Sequence, residues 1–421
     1  MSDQVNIQVD ELPVNIKEDA VYEINQTNPN SYTHNFFKYP CKFIPEIPRW
    51  AIRAYYKQDV DGMILDPFSG SGTTLLEASL AGARSLGAEI DEIAKLITKV
   101  KTTKLSYEEI YEVNIFTKRV ANILEEQKYS VDDVIYPEIN NLEHWFRKDI
   151  LNDLGFLYHS IILKKNTNVK NFLLVCMASI IKRVSNADDI SPKPYVSNNV
   201  IKNPPDVATT FSELVKKYIT GIEEISNCEL AAINIQGDAT HISALNNTID
   251  LAVTSPPYIN AFDYVRTLRL ENLWLQMSTE NELREKKKRY LGTESISVKK
   301  ERLDLSILDK SELLKEYFNR IILVDEKRAL ILKRFFEDME LNLQEVYRVL
   351  KDNSNYVIVI GNSSIRKVQV ESWRVLRDIA EQVGFKYVTH FGYAIKNPYI
   401  RIPRGSKGGK IAIDHVLVIR K

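Results

Sequence analysis

Ser255, Pro256, Pro257 and Tyr258 stand directly after the apolar run Ile249, Leu251, Ala252 and Val253, inside the heptapeptide TSPPYIN. Proline has no amide hydrogen for a ladder bond and cannot extend a central strand. A buried strand therefore ends abruptly here, in a rigid loop that holds a hydroxyl and an aromatic ring at its tip.

A second set of reactive residues lies upstream, in DPFSGSGTT from Asp66 to Thr74. Gly70 and Gly72 permit positive φ and close backbone approach, Thr73 and Thr74 complete the loop, and the N-terminus of the next helix offers free N–H groups. With Pro67 and Phe68 these residues form a candidate ligand loop. No GK[ST] follows, so the loop is not a Walker A motif, and it is not a full G-x-G-x-x-G either. Asp66 at the strand tip would repel a phosphate but can accept from an ammonium group. That fits a cationic ligand with an amino-acid moiety, such as S-adenosylmethionine. Glu89 ends the next strand, where a carboxylate can take both ribose hydroxyls. Asp238 ends the third, where it can accept from the adenine amino group. Each acid alone is more often a helix cap or a solvated strand end. Three acids at successive strand tips favour a ligand, because ligands bind beyond the carboxyl ends of such sheets.

These residues need a scaffold. MILD (63–66), the glycine loop, the helical stretch LLEASLAG stopping at Gly82, and SLGAEID (85–91) make the opening of a doubly wound sheet. Ser106 with Glu109 marks a capping box and a helix start. Further strands are expected at 233–238, 249–254, 356–362, 385–395 and 413–421, for seven in all, and 311–350 is helical in period. The expected fold class is α/β, a doubly wound, mostly parallel seven-stranded sheet with a large helical insertion. Residues 1–30 read as a loose arm, 31–100 and 231–421 as the catalytic domain, and 101–230 as the insertion, roughly 130 residues and far longer than a usual connection.

Composition narrows the class. The chain has 421 residues, 44% apolar and 27% charged, as an ordinary globular protein does. Fifty-six basic residues balance 56 acidic ones, so only a local basic surface can serve a nucleic acid. Three cysteines, Cys41, Cys176 and Cys228, show no CxxC spacing; this predicts a reducing cytoplasm and neither a disulfide framework nor a metal site. The first twenty residues are polar and acidic, wrong for a signal peptide, and no run approaches the roughly 18 apolar residues of a membrane span.

DPFSGSGTT, GAEID, GDAT and TSPPY together resemble the amino-group DNA methyltransferases, and THNFFKYPCKFIPEIPRWAI (33–52) is similar to their preceding cofactor-pocket segment. The matching blocks fall within 33–95, 233–266 and 355–421; the insertion matches nothing in them. The resemblance implies a Rossmann-like methyltransferase fold, S-adenosylmethionine as cofactor with no metal, and double-stranded DNA as substrate. An exocyclic amine conjugated to its ring is a poor nucleophile, so it must be polarised by acceptors and held in line with the sulfonium methyl. The Ser255 hydroxyl and Pro256 carbonyl suit that task, Pro257 stiffens the loop, and Tyr258 can stack on the base, which must first leave the duplex. The absence of a Pro-Cys catalytic pair argues against ring-carbon methylation. Serine at the first position resembles the cytosine-N4 subgroup, whereas adenine-N6 enzymes more often carry Asp or Asn there. The alternatives are adenine N6, an RNA or tRNA amino-methyltransferase, and a non-catalytic DNA-binding subunit.

DNA contacts are expected from Asp263 and Arg266 after TSPPY, from Asn362 at a strand end, and from Arg183 in the polar loop of the insertion. From Gln382 to Ile413 there is no acidic residue, so Arg401, Arg404 and Lys407 form a candidate phosphate clamp. REKKKRY (284–290) is a second candidate, though such a run also suits a solvated face. A restriction endonuclease partner and a cytoplasmic location complete the expectations.

Overall fold

In the buried strands, successive side chains alternate between two cores. Leu251, Val253, Val357, Val359, Val416 and Val418 face one cluster with Trp50 and Ala78. Ile249, Ala252, Ile358, Ile360, Leu417 and Ile419 face another with Phe335, Leu343 and Leu376. This period of two, with both faces apolar, is what a sheet covered by helices on both sides requires. The structure, a computed structural model, describes residues 6–25, 31–57, 62–259, 263–396 and 412–421.

The strands are β1 (Asn6–Val9), β2 (Val21–Ile24), β3 (Met63–Asp66), β4 (Arg84–Ala88), β5 (Ile233–Gln236), β6 (Ile249–Thr254), β7 (Leu350–Gly361), β8 (Ser363–Ile365), β9 (Val368–Val370), β10 (Lys386–Ala394) and β11 (Ile413–Arg420). Nine of them form one sheet in the order β1-β2-β10-β11-β7-β6-β3-β4-β5, and β8 and β9 form a separate hairpin. All described pairings in the large sheet are parallel except those of β11, which runs antiparallel to β7 and β10. The chain reverses direction across the sheet between β3 and β6, and such a switch point opens a crevice beyond the strand ends. The fold is thus doubly wound and Rossmann-like, with the seven expected strands in place and two more at one edge.

Those two come from the segment expected to be a loose arm. Residues 6–9 and 21–24 are strands, and β2 continues the sheet against β10. Tyr22 is buried edge-on to Phe391, and the Trp50 indole N–H donates to the Pro13 carbonyl at 2.9 Å. These two four-residue strands lack a following glycine loop or other local mark, and β2 joins the sheet only through β10, about 371 residues away. The stretch 311–350 also differs in detail. It holds two helices, Glu312–Ile322 and Glu326–Val349, because Asp325 caps the second by accepting from the Arg328 amide. The apolar period continues across the break, so the sequence reads as one helix.

Residues 107–226 carry five helices longer than three residues, the first opened by the Ser106–Glu109 capping box. They share one buried cluster with Leu76, Ile93, Ile97 and Trp274 and so pack against the helices that hold those residues, not against the strands. Among the described residues no helix is long and apolar enough to cross a membrane.

Candidate active site

A cavity of about 340 Å³ opens at the switch point. Pro67, Phe68, Gly70 and Thr73 of the glycine loop line it together with Glu89, Asp238, Ser255 and Pro257. Residues 66–74, 89, 238 and 255–257 are far apart in sequence, and they meet because β3, β4, β5 and β6 all point their carboxyl ends the same way.

The glycine loop is held from behind. Gly70 and Gly72 both have positive φ, +49° and +75°, and a Cβ on Gly72 would stand 2.4 Å from Thr98 Cγ2. The helix Glu92–Lys101 supplies the props: Thr98 Oγ1 donates to the Gly70 carbonyl at 3.1 Å, and Lys101 Nζ donates to the Ser71 carbonyl at 2.8 Å. Burial, aided by nearby Lys42, pushes the Lys101 ammonium well below its usual pKa.

Asp66 lies beneath the loop, fully buried, and is not among the cavity-lining residues. Its Oδ1 accepts from the Thr254 hydroxyl at 2.6 Å and from the Phe68 amide at 3.1 Å, while Oδ2 is buried without a partner. Burial raises its pKa to about 6, against the opposing hydrogen bonds from Thr254, Thr74 and Phe68. This geometry makes Asp66 a clasp between the glycine loop and β6. Thr74 is likewise buried, with its hydroxyl 3.5 Å from the Val253 carbonyl.

Glu89 is on the cavity wall, its Oε1 accepting from the Ile90 and Asp91 amides at 2.8 Å each. Burial, then the charge of Asp91, raises its pKa to about 7. Asp238 takes the Thr240 amide and hydroxyl at 2.9 Å, and Arg289 stands 3.6 Å away.

The cavity also has features not read from the sequence. Tyr39, Tyr264 and Tyr290 line it as an aromatic group, with ring centroids 6.1 Å apart for the first pair and 5.8 Å for the second. Tyr290 donates to Asp91 Oδ2 at 3.1 Å. Tyr39 falls in the segment expected to belong to the cofactor pocket, but Tyr290 closes the charge run REKKKRY, where only its neighbours drew attention. That run forms most of the helix Glu280–Arg289, and Lys287 and Lys288 pair with Asp263 and Glu285 at 2.5 and 2.7 Å. Arg334 and Asp338, paired at 2.8 Å, supply a further charged wall from the long helix Glu326–Val349.

In the TSPPY loop, Ser255 and Pro257 face the cavity and Pro256 is buried. Tyr258 is half-buried; its hydroxyl donates to Asp414 Oδ1 at 2.7 Å, and Tyr393 donates to Asp414 Oδ2 at 3.0 Å. Burial raises the Asp414 pKa, and the two hydroxyls oppose that. The ring of Tyr258 is thus anchored at its far end on β11. Asp263 caps the short helix Tyr264–Thr267, and Arg266 is exposed beside it. Arg183 is exposed at the end of the helix Thr167–Val184, away from the cavity-lining residues. Asn362 follows β7 and contacts His415. Arg401, Arg404 and Lys407 lie outside the described residues. Among the described residues no group of His, Cys, Asp and Glu is arranged to hold a metal.

Comparison with known proteins agrees with the motifs. The family model for N6/N4 DNA methylases matches residues 3–100. The type II methyltransferase M.MvaI of Kocuria varians is 24% identical over 94% of this chain and 91% of its own length. M.AvaI of Nostoc sp., also a type II methyltransferase, is 24% identical over 86% of this chain and 80% of its own. A solved SAM-dependent methyltransferase from Methanosarcina mazei aligns over 88% of this chain and 96% of its own at 10% identity, with a TM-score of 0.32. The chain is thus similar to N6/N4 DNA methylases over its first hundred residues and to type II methyltransferases over most of its length.

Proposed function

We propose that the protein moves a methyl group from S-adenosylmethionine to the exocyclic amine of a base flipped out of double-stranded DNA, with cytosine N4 as the favoured acceptor. The observation that carries this reading is the shared cavity: the glycine loop and Glu89 line one part of it, Ser255 and Pro257 another. The residues suit the cofactor. The cavity falls within the size range of small-molecule sites, its carboxylates Glu89 and Asp238 can accept from hydroxyl and amino groups, and the loop exposes backbone at a helix N-terminus.

When bound, the cofactor supplies an electrophilic methyl carbon on a positively charged sulfur. Glu89 would hold the ribose, Asp238 the adenine amine, and Pro67–Thr73 the methionine end. Ser255 and the Pro256 carbonyl would accept from the amine hydrogens. That draws the nitrogen lone pair out of ring conjugation and aims it at the methyl carbon. Transfer would exchange the S–C bond for an N–C bond, and the amine proton would leave past the Ser255 and Pro256 acceptors to solvent. Tyr258, held by Asp414, would stack on the base.

Cytosine N4 is favoured over adenine N6 by serine at the first position of SPPY; adenine N6 is the second reading. The insertion 101–230 is the proposed target-recognition region, with Arg183, Asp263, Arg266, Asn362, Arg401, Arg404 and Lys407 as DNA contacts. A partner restriction endonuclease and action in the cytoplasm belong to the same proposal; Cys41, Cys176 and Cys228 are all free thiols. The test is transfer of labelled methyl to duplex DNA and, in parallel, to tRNA, followed by digestion and identification of the modified nucleoside. N4-methylcytosine in DNA supports the reading; N6-methyladenine moves it to the second; label in tRNA alone, or none at all, overturns it.

A further inference from the structure

Three tyrosines that take no part in the methyl transfer described above line the cavity together. Tyr39 comes from the segment before β3, Tyr264 opens the short helix Tyr264–Thr267, and Tyr290 follows the helix Glu280–Arg289. The rings of Tyr264 and Tyr290 are within 8° of parallel, and those of Tyr39 and Tyr264 are inclined at 31°. All three are half-buried, so none is a core residue.

Their place follows from the order of the strands. The sheet runs β6-β3-β4-β5, so Ser255, the glycine loop, Glu89 and Asp238 stand along the cavity in that order. The tyrosines belong to its middle. A Cβ on Gly70 would lie 3.1 Å from Tyr39 Cε1, which sets that ring against the glycine loop. Tyr290 donates to Asp91 Oδ2, two residues beyond Glu89. Asp91 is itself fixed, because its Oδ1 accepts from the Ile93 and Ala94 amides at 3.0 and 3.2 Å and caps the helix that props the loop. Burial first, then the charges of Glu89 and Asp91, pushes the Tyr39 and Tyr290 hydroxyls well above their usual pKa, so both rings are neutral phenols.

The sulfur of S-adenosylmethionine joins the ribose to the methionine chain. With the ribose at Glu89 and the methionine end at the glycine loop, the sulfur falls between them, beside the tyrosines. It is a cation without an N–H or O–H, so no hydrogen bond can hold it. The face of an aromatic ring attracts such a cation and asks for no donor.

We propose that Tyr39, Tyr264 and Tyr290 form an aromatic cage for the sulfonium, and that this cage separates S-adenosylmethionine from its product, S-adenosylhomocysteine. The inference rests on the cofactor placement proposed above. The product keeps the adenine, ribose and amino acid but carries a neutral thioether. The rings therefore lose their attraction once the methyl is gone, and the spent cofactor leaves more readily.

Calorimetry on the full chain without DNA reads the affinity for each compound and the ratio of the two. Tyr290→Leu should weaken S-adenosylmethionine by about three- to thirtyfold, the range of one cation–π contact, and leave S-adenosylhomocysteine within about twofold. Tyr290→Phe keeps the ring and loses only the bond to Asp91, so it should restore most of the ratio. Tyr264→Leu should give the same selective loss and keeps the test open should Tyr290→Leu not fold. Equal weakening of both compounds in the leucine variants, or of neither, reduces the tyrosines to packing and overturns the inference while the cofactor placement stands. Slower methyl transfer with both affinities unchanged assigns the rings to the base and overturns it too. A wild-type protein that binds neither compound overturns the cofactor placement along with the cage.

Discussion

The two sides of the cavity are braced in opposite ways. On the side proposed for the cofactor, the glycine loop, its helix, Glu89 and the props Thr98 and Lys101 all lie within residues 66–101. On the side proposed for the methyl acceptor, the TSPPY loop takes its supports from afar. Thr254 bonds Asp66, 188 residues away, and Tyr258 bonds Asp414, 156 residues away. Asn362 is held through β11 and β10 by Asp19. A contiguous strand–loop–helix–strand–helix unit builds a binding cradle from backbone and near neighbours. An acceptor site built from loops of three strands is oriented only once the sheet is assembled. The cofactor side should accordingly tolerate damage to the acceptor side, and each perturbation should separate binding from turnover.

The largest separation is expected from Tyr258→Ala. It removes a stacking face worth about 1–3 kcal/mol and leaves Asp414 with Tyr393 alone, so methyl transfer should fall by up to roughly 100-fold. Calorimetry should find S-adenosylmethionine affinity nearly unchanged; a parallel loss of cofactor binding would show that the two sides are one unit. Glu89→Ala should do the reverse. Hydrogen bonds to a charged group contribute about 1.5–3 kcal/mol, so cofactor affinity should drop by roughly 10- to 100-fold with DNA affinity retained. Equal cofactor affinity in that variant would remove Glu89 from the ribose role.

Ser255→Ala should lower turnover by roughly tenfold, a neutral hydrogen bond's worth, and DNA affinity less. A wild-type rate in single turnover would reduce the loop to a stiff turn. The smallest effect is set by pH. Glu89 is raised to about 7, and its ionised form is the better acceptor for ribose hydroxyls. Cofactor affinity should weaken as pH falls below 7, by up to about tenfold per unit, and level off above it. The folding linkage has the opposite sign. The folded state holds this proton more tightly than the unfolded chain, so Glu89's contribution to stability declines as pH rises between its ordinary value and 7. Glu89→Gln should flatten the affinity profile in titrations from pH 6 to 8.

What the sequence determined by itself was everything encoded within a few dozen residues. The apolar runs placed all seven central strands, Ser106 and Glu109 placed a helix start, and Glu89, Asp238, Pro67 and Pro257 at strand ends marked the cavity wall. These signals are local because a strand's burial, a cap and a proline's missing donor act on neighbouring residues. Tertiary structure alone decided the rest. It made strands of residues 6–9 and 21–24 and turned Asp66 from the cavity wall to a clasp beneath it. It also joined Tyr290 to Asp91 and aligned Asp19, His390, His415 and Asn362. Each of those is a hydrogen bond or pairing between residues as much as 371 positions apart. A side chain's short-range context is silent about such partners, because only the closed sheet brings their atoms within three ångströms or so of one another.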